Sequence, residues 1–529
     1  MSGTGKASLR ARLAPLLGGR ATDFVATQLL REGSAQWASE PHRVQEAIDK
    51  VEQAWGLTRD PEIAIQLATM YDRANRNDDA LVVLRQAFRG NPDHALLRHH
   101  AAITLLRHGA PGDIRDFFES VLKVDAQDAF ARFVMALLDQ YDGWVAQLAS
   151  SIERKRDGRQ PFVISLPVWG ETYSAYCERF FCASLLSPNN LPALAKNHSI
   201  HVAVFTTAES EQALRAKPLF CRLEEHATVD FIHYPAELVD YRAAMQACYG
   251  DEKVHYSENS LAFYYERNCK FALMSCAHYV ALAAGRATDA FVSCLVADLA
   301  LNDGALLAMA DRMSNADAVL AHAIQMHGRV LRPLLEQRFR GADGILQLSP
   351  DSCARLVIEH IPIDNLADAG RSIDPPLRIA WRVGDDGLLI HGNHYHPFLL
   401  RPKAFEHPLR LSIDPVDSRF IDRTSLDDGR ITIVQDTSIV CLGVDDDPIL
   451  DALQDGEGAP SVPRFALWLW GYWGRLRGRL FRSPLRYGSS SRPEEWQRVE
   501  AAAASLVDAI VTEAARLEEA NRARKSWRL

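Results

Sequence analysis

Several signatures are missing from this 529-residue chain, and each absence narrows what it can do. Its nine cysteines (Cys177, Cys182, Cys221, Cys248, Cys269, Cys276, Cys294, Cys353 and Cys441) contain no Cys-x-x-Cys pair. Their odd number and scattered spacing argue against a disulfide framework and against a zinc cluster, and fit a reduced, intracellular chain. There is no Gly-x-x-x-x-Gly-Lys-Ser/Thr loop, no Gly-x-Gly-x-x-Gly after a strand and no Gly-x-Ser-x-Gly, so the commonest nucleotide-binding and acyl-transfer motifs are lacking. No apolar run reaches membrane-spanning length, and at the N-terminus Lys6, Arg10 and Arg12 precede any apolar stretch, unlike a signal peptide. Positive charge is not in excess either: the net charge of -9 argues against general nucleic-acid binding. A cytoplasmic location is expected.

What is present is average for a soluble globular protein, with 47% hydrophobic and 24% charged residues, and the length implies two to four domains. Residues 1–155 carry helical periodicity. Pro61 to Tyr71 and Asp79 to Phe88 form one helix pair, closed by Asn91-Pro92-Asp93, and a second pair follows from His94 to Gly109 and from Ile114 to Leu122. Two helices of about a dozen residues restarting after roughly 34 is the tetratricopeptide period. The segment resembles a tetratricopeptide-repeat array, with Leu67, Tyr71, Ala80 and Phe88 in the packing positions and Pro92 closing the unit. Pro111 and Gly112 depart from that pattern, and helices near 22–34 and 41–55 are irregular enough to serve as a cap. A generic helical bundle is the alternative. An array of this kind implies a concave surface for a peptide or protein partner.

Residues 160–455 read as an α/β domain. Strands are expected at Phe162–Leu166, His201–Phe205 and Val229–Tyr234, and a long helix from about Asn259 to Ala284 buries Tyr264, Ala272, Cys276 and Val280. A fourth strand from Phe291 is expected to end at Asp298, ahead of Asn302-Asp303-Gly304. Alternating strands and helices give a mainly parallel sheet whose ligands bind beyond the carboxyl ends of the strands. A carboxylate there can hold a divalent cation against a diphosphate. The plain alternative for Asp298 is a turn or helix-cap residue.

The order of these features resembles the GT-A fold of nucleotide-sugar glycosyltransferases. The resemblance covers residues 160–330 in order and extends more loosely to about 450. It implies a first loop at Pro167, Trp169 and Glu171, a second-strand end delivering Thr206, Thr207 and Glu209, and a helix carrying Arg267, Asn268 and Lys270, all near the nucleotide-sugar. It also implies a metal-binding Asp-x-Asp, of which only Asp298 is present, because Val296 occupies the first position. A late histidine completes the metal shell in many such enzymes, and His394 or His396, in Leu388-Leu-Ile-His391-Gly-Asn-His394-Tyr-His396, is the expected supplier of a ligand to Mn²⁺ or Mg²⁺. For each of these histidines a polar loop bonded to backbone and water is the alternative. Asp414, expected after a short strand, is the first candidate for a general base on the acceptor hydroxyl, with Asp417 second, each against the alternative of a solvated turn with ion pairs. Asp445-Asp446-Asp447 reads as a loop run without a site.

Residues 456–529 are expected to be a helical extension. Its segment 464–486 has six arginines, three tryptophans and no acid, a composition that suits peripheral contact with the inner face of a membrane or docking on the α/β domain. The reading is a cytoplasmic glycosyltransferase that moves a sugar from a nucleotide-sugar donor to an acceptor hydroxyl of a protein or cell-surface glycan. Its repeats recruit the acceptor or a partner. The alternative is a non-catalytic repeat scaffold with a degenerate transferase domain, favoured by Val296.

Overall fold

A computed structural model describes residues 19–39, 43–252, 259–361, 378–392, 396–445, 462–471, 476–488 and 493–525. Helices Gly19–Ser39 and Val44–Thr58 come first, followed by Pro61–Arg73, Asn77–Gly90, Ala95–His108 and Pro111–Val124. Pro61 and Ala95, and again Asn77 and Pro111, stand 34 residues apart, so the expected period is the structural one. Local chemistry sets these starts. Asp60 caps the helix Pro61–Arg73 by accepting from Glu62 N at 2.8 Å, and Pro61 and Pro111 occupy first-turn positions that need no donor. Leu67, Tyr71, Ala80 and Phe88 are all buried, and the Phe88 and Phe117 rings meet at 4.9 Å across the two units.

The helix Ala129–Arg154 closes this repeat-like region and packs along the helix Leu261–Thr288 of the next. Aromatic rings knit the seam: Tyr265 lies 4.5 Å from Phe130 and 4.4 Å from Tyr249. One hydrophobic core runs through both regions, so the repeats are not a free arm.

The α/β domain starts at β1 (Gln160–Pro167), followed by β2 (His198–Thr206), β3 (Thr228–His233), β4 (Phe291–Cys294), β5 (Leu299–Leu301), β6 (Ala318–Ala321) and β7 (Ala323–Gln325). Then come β8 (Arg378–Val383), β9 (Gly387–Gly392), β10 (His396–Leu400), β11 (Ile431–Ile433), β12 (Cys441–Gly443) and β13 (Leu485–Gly488). The main sheet has seven strands in the order β11-β6-β10-β4-β1-β2-β3. All its pairings are parallel except those of β10, which runs antiparallel to β4 and β6. The buried, Val/Ile/Phe-rich strands β1 and β2 suit a sheet covered on both faces. Two three-stranded sheets, β5-β12-β7 and β13-β9-β8, flank it.

Three expectations change, and one alternative is decided. The strand from Phe291 stops at Cys294, so Asp298 sits in a turn four residues later, just ahead of β5 in a different sheet. No strand precedes Asp414; Leu411 to Ile413 is irregular backbone. The C-terminal extension is not all helical, because β13 returns to pair with β9 of the α/β domain. Finally, the helix Val462–Gly471 docks on Pro493–Lys525, with Trp470 2% exposed and its indole N–H donating to Glu518 Oε2 at 3.1 Å. That ring is in the core, not at a headgroup surface. Among the described residues no helix is long and apolar enough to cross a membrane.

Candidate functional site

The parallel strands β1, β2 and β4 all end on one side of the main sheet, where ligands bind in open α/β sheets. Just beyond β1 and β4 lies a pocket of about 80 Å³ lined by Pro167, Val168, Trp169, Tyr173, Lys270, Met274, Val296, Ala297, Asp298 and Asp445. Each wall has a local cause. Val168 N extends the sheet by donating to Phe205 O at 2.9 Å, and Gly170, at φ +78°, turns the chain into the helix Glu171–Tyr176. Trp169 and Tyr173, four residues apart across that turn, face the same cavity, and the Trp169 ring is held edge-on 5.7 Å from Tyr234. Lys270 and Met274, one turn apart on Leu261–Thr288, form the opposite wall.

The fourth wall is built by the small sheet. β12 runs antiparallel to β5 with Gly443 opposite Leu299, so the residues just outside that pair, Asp298 and Val444, meet, and Val444 N donates to Asp298 O at 2.8 Å. The next residue, Asp445, thereby arrives beside Asp298. β7 pairs with β12 on its other side, and Gln325 Nε2 donates to Asp445 O at 3.0 Å. Gly443 makes room for that amide, since a Cβ there would come 2.8 Å from Gln325 Cδ.

The polar groups form an ordered chain. Lys270 Nζ donates to Tyr173 Oη at 2.9 Å, and Tyr173 Oη donates to Asp445 Oδ2 at 3.0 Å. Burial, reinforced by the Asp445 carboxylate, raises the Tyr173 pKa, so the phenol stays neutral. Asp298 is pushed up to about 6, first by burial and then by Asp445, while its own backbone and Lys270 oppose the shift. Two carboxyl groups and one amine thus meet in this pocket.

Of the residues expected at the site, Pro167, Trp169, Lys270 and Asp298 line this pocket, and Glu171, Thr206, Thr207, Glu209, Arg267 and Asn268 do not. Glu171, Glu209 and Arg267 are exposed. Thr207 caps the helix Ala208–Arg215 by accepting from Ser210 N at 3.0 Å. Thr206 is fully buried at the end of β2, and its hydroxyl finds no hydrogen-bond partner among the described residues. Asn268 Nδ2 turns back to Tyr264 O at 2.8 Å.

Asp414 lies elsewhere, buried against the repeats, paired with Arg423 at 2.8 Å and Arg107 at 3.4 Å. Asp417 is also buried and accepts from Phe420 N at 3.4 Å at the start of the short helix Ser418–Asp422. Asp303, after the motif, accepts two bonds from Asn189. His391 is buried in β9 and bonded to Phe481 O at 2.8 Å. His394 lies outside the described residues. His396 opens β10, opposite Ala321, and helps depress the buried His278 to about 3, behind the larger effect of burial. Among the described residues no three His, Cys, Asp or Glu side chains group as a metal centre.

Sequence reading missed Tyr173 and Asp445. Tyr173 had a faint signal, the Trp169–Tyr173 spacing at a helix start. Asp445 had none: it reaches Asp298 only through the register of β12 on β5.

No protein-family model matches the chain, and no curated protein does. Among solved structures, a mutant O-GlcNAc transferase from Thermobaculum terrenum aligns at 11% identity and a TM-score of 0.18. The alignment covers 43% of this chain and 44% of that one, so the chain spans under half of that protein, and a likeness this low carries no argument.

Proposed function

We propose that the chain is a glycosyltransferase of GT-A type that binds a nucleotide-sugar at the carboxyl edge of the seven-stranded sheet and passes the sugar to an acceptor hydroxyl. The observation that carries this reading is the convergence of Trp169, Tyr173, Lys270, Asp298 and Asp445 on one pocket at that edge. Its apolar wall suits a flat ring or a sugar face, and its few polar groups suit a diphosphate.

The charge bears on the cofactor. Two acidic side chains in the wall favour a diphosphate that brings a cation with it. Mg²⁺ or Mn²⁺ commonly binds through one or two carboxylates plus substrate phosphates, which fits an oxygen donor set of Asp298 and Asp445. When bound, the cation would neutralise charge developing on the leaving diphosphate. His396, and His394 with it, remain the proposed additional ligands. Asp414 is held by Arg423 and Arg107, so a base for the acceptor is sought among the carboxylates of the pocket. The 34-residue helical repeats would present a protein acceptor or partner.

The non-catalytic scaffold is the second reading, favoured by Val296 in the pocket wall where a carboxylate would be expected. One experiment separates them: thermal shift with UDP, GDP, CMP and dTDP, with and without Mn²⁺, on the wild type and on Asp298→Ala. A melting-temperature rise with one nucleotide, lost in the variant, supports the transferase by linkage. A flat response to every nucleotide supports the scaffold.

A further inference from the structure

Lys270 faces the same pocket as Asp298 and Asp445. It is half-buried there, yet it makes no ion pair within 4.0 Å among the described residues. Its ammonium donates one hydrogen bond among the described residues, to the Tyr173 hydroxyl at 2.9 Å, and lies 4.9 Å from that ring's centre. An ammonium has three donors and no acceptor. One donor is used on Tyr173, which leaves two for whatever enters.

The direction of this chain is fixed by chemistry. Lysine can only donate, so Tyr173 must accept from it, and the tyrosine proton must therefore point to Asp445, which accepts at 3.0 Å. Neither end can reverse while Asp445 is ionised and the phenol is neutral. The arrangement matters because a lysine side chain carries four rotatable bonds and on the order of 2 kcal/mol of rotamer entropy, whereas a tyrosine has two rotatable bonds and is packed here against Tyr176 at 6.1 Å. A stiff ring thus pins the end of a flexible chain.

We infer that Tyr173 is a positioning residue: its hydroxyl, oriented by Asp445, holds the Lys270 ammonium at the pocket wall, where it reads a phosphoryl group of the ligand. This rests on the phosphate-binding reading of the pocket but does not need the nucleotide or the sugar. Tyr173 acts only through Lys270, which is a stronger claim than proximity and can be measured.

The test is a double-mutant cycle on the full chain with Tyr173→Phe, Lys270→Met and the pair, using inorganic pyrophosphate with Mg²⁺ as probe, followed by calorimetry with the nucleoside diphosphates. Both substitutions keep the side-chain bulk, and thermal melts confirm that the variants fold. We expect Tyr173→Phe to weaken pyrophosphate binding about tenfold, the effect of one lost hydrogen bond to a charged group, and Lys270→Met to weaken it more. In the Lys270→Met background Tyr173→Phe should then cost nothing. Equal cost in both backgrounds, or no cost in either, overturns the inference, as does a wild type that fails to bind pyrophosphate. If pyrophosphate binds as expected but no nucleoside diphosphate binds more tightly, the inference stands and the nucleotide-sugar reading falls.

Discussion

Asp298 should destabilise the protein at neutral pH, and replacing it with asparagine should make the chain more stable. The folded carboxyl titrates at about 6, raised by burial and by Asp445. Its unfolded counterpart titrates near 3.9. A raised acid pKa means that the folded state holds the proton more tightly. Ionisation therefore costs folding free energy once the pH exceeds the unfolded value, and the cost is complete above the folded value. Two units correspond to about 3 kcal/mol, and with the shift good to about one unit the expected range is roughly 1.5–4 kcal/mol. Asparagine has the same shape and no charge to desolvate. Urea melts of wild type and Asp298→Asn at several pH values, without added ligand or divalent cation, read this directly. The variant should be the more stable of the two at pH 8. Its advantage should shrink as pH falls from about 6 towards 4 and be absent below that. Comparing the two proteins removes the other titrating groups from the result. If Asp298→Asn is less stable than wild type at pH 8, or its advantage does not depend on pH, the assignment of uncompensated charge to this turn is refuted. On the proposed ligand-binding reading, a carboxylate kept at a cost in stability is the expected pattern.

Other outcomes follow from the same geometry. Gly443→Ala drives its Cβ onto the end of the Gln325 side chain, which is flexible and can swing away, so the cost should be near one hydrogen bond, about 0.5–1.5 kcal/mol. Nucleotide or pyrophosphate binding should nevertheless fall, because Asp445 loses its anchor; a loss well above 3 kcal/mol in denaturant melts would show that the backbone has moved instead. Asp414→Ala removes the carboxylate shared by Arg423 and Arg107, but both guanidiniums are partly exposed and keep other partners, so it should cost roughly 1–3 kcal/mol while ligand affinity at the pocket stays unchanged, a split that calorimetry and melts would separate. Trp470→Ala should cost about 3–5 kcal/mol through the cavity it leaves, and a surface-like change under 1 kcal/mol would contradict its burial.

The sequence alone determined the elements whose signal is local. The 34-residue helical step, strands β1 to β3 and the long helix behind them all rest on periodicity, caps and apolar runs within a few turns of chain. It also put Pro167, Trp169, Lys270 and Asp298 at one edge of a sheet, because parallel strands send their carboxyl ends the same way. Tertiary structure decided the rest. Whether Arg267 or Lys270 faces the pocket depends on the rotation of a helix against the sheet, which spacing does not fix. Asp414 and Asp417 read alike as candidate bases, and only the fold pairs the first with Arg423 and Arg107 and sets the second at a helix start. Asp445 looked like one of three loop aspartates until the pairing of β12 with β5 and β7 carried it to Asp298. Strand register between distant segments is set by which side chains can be buried together, and that is a property of the whole fold, not of any stretch of sequence.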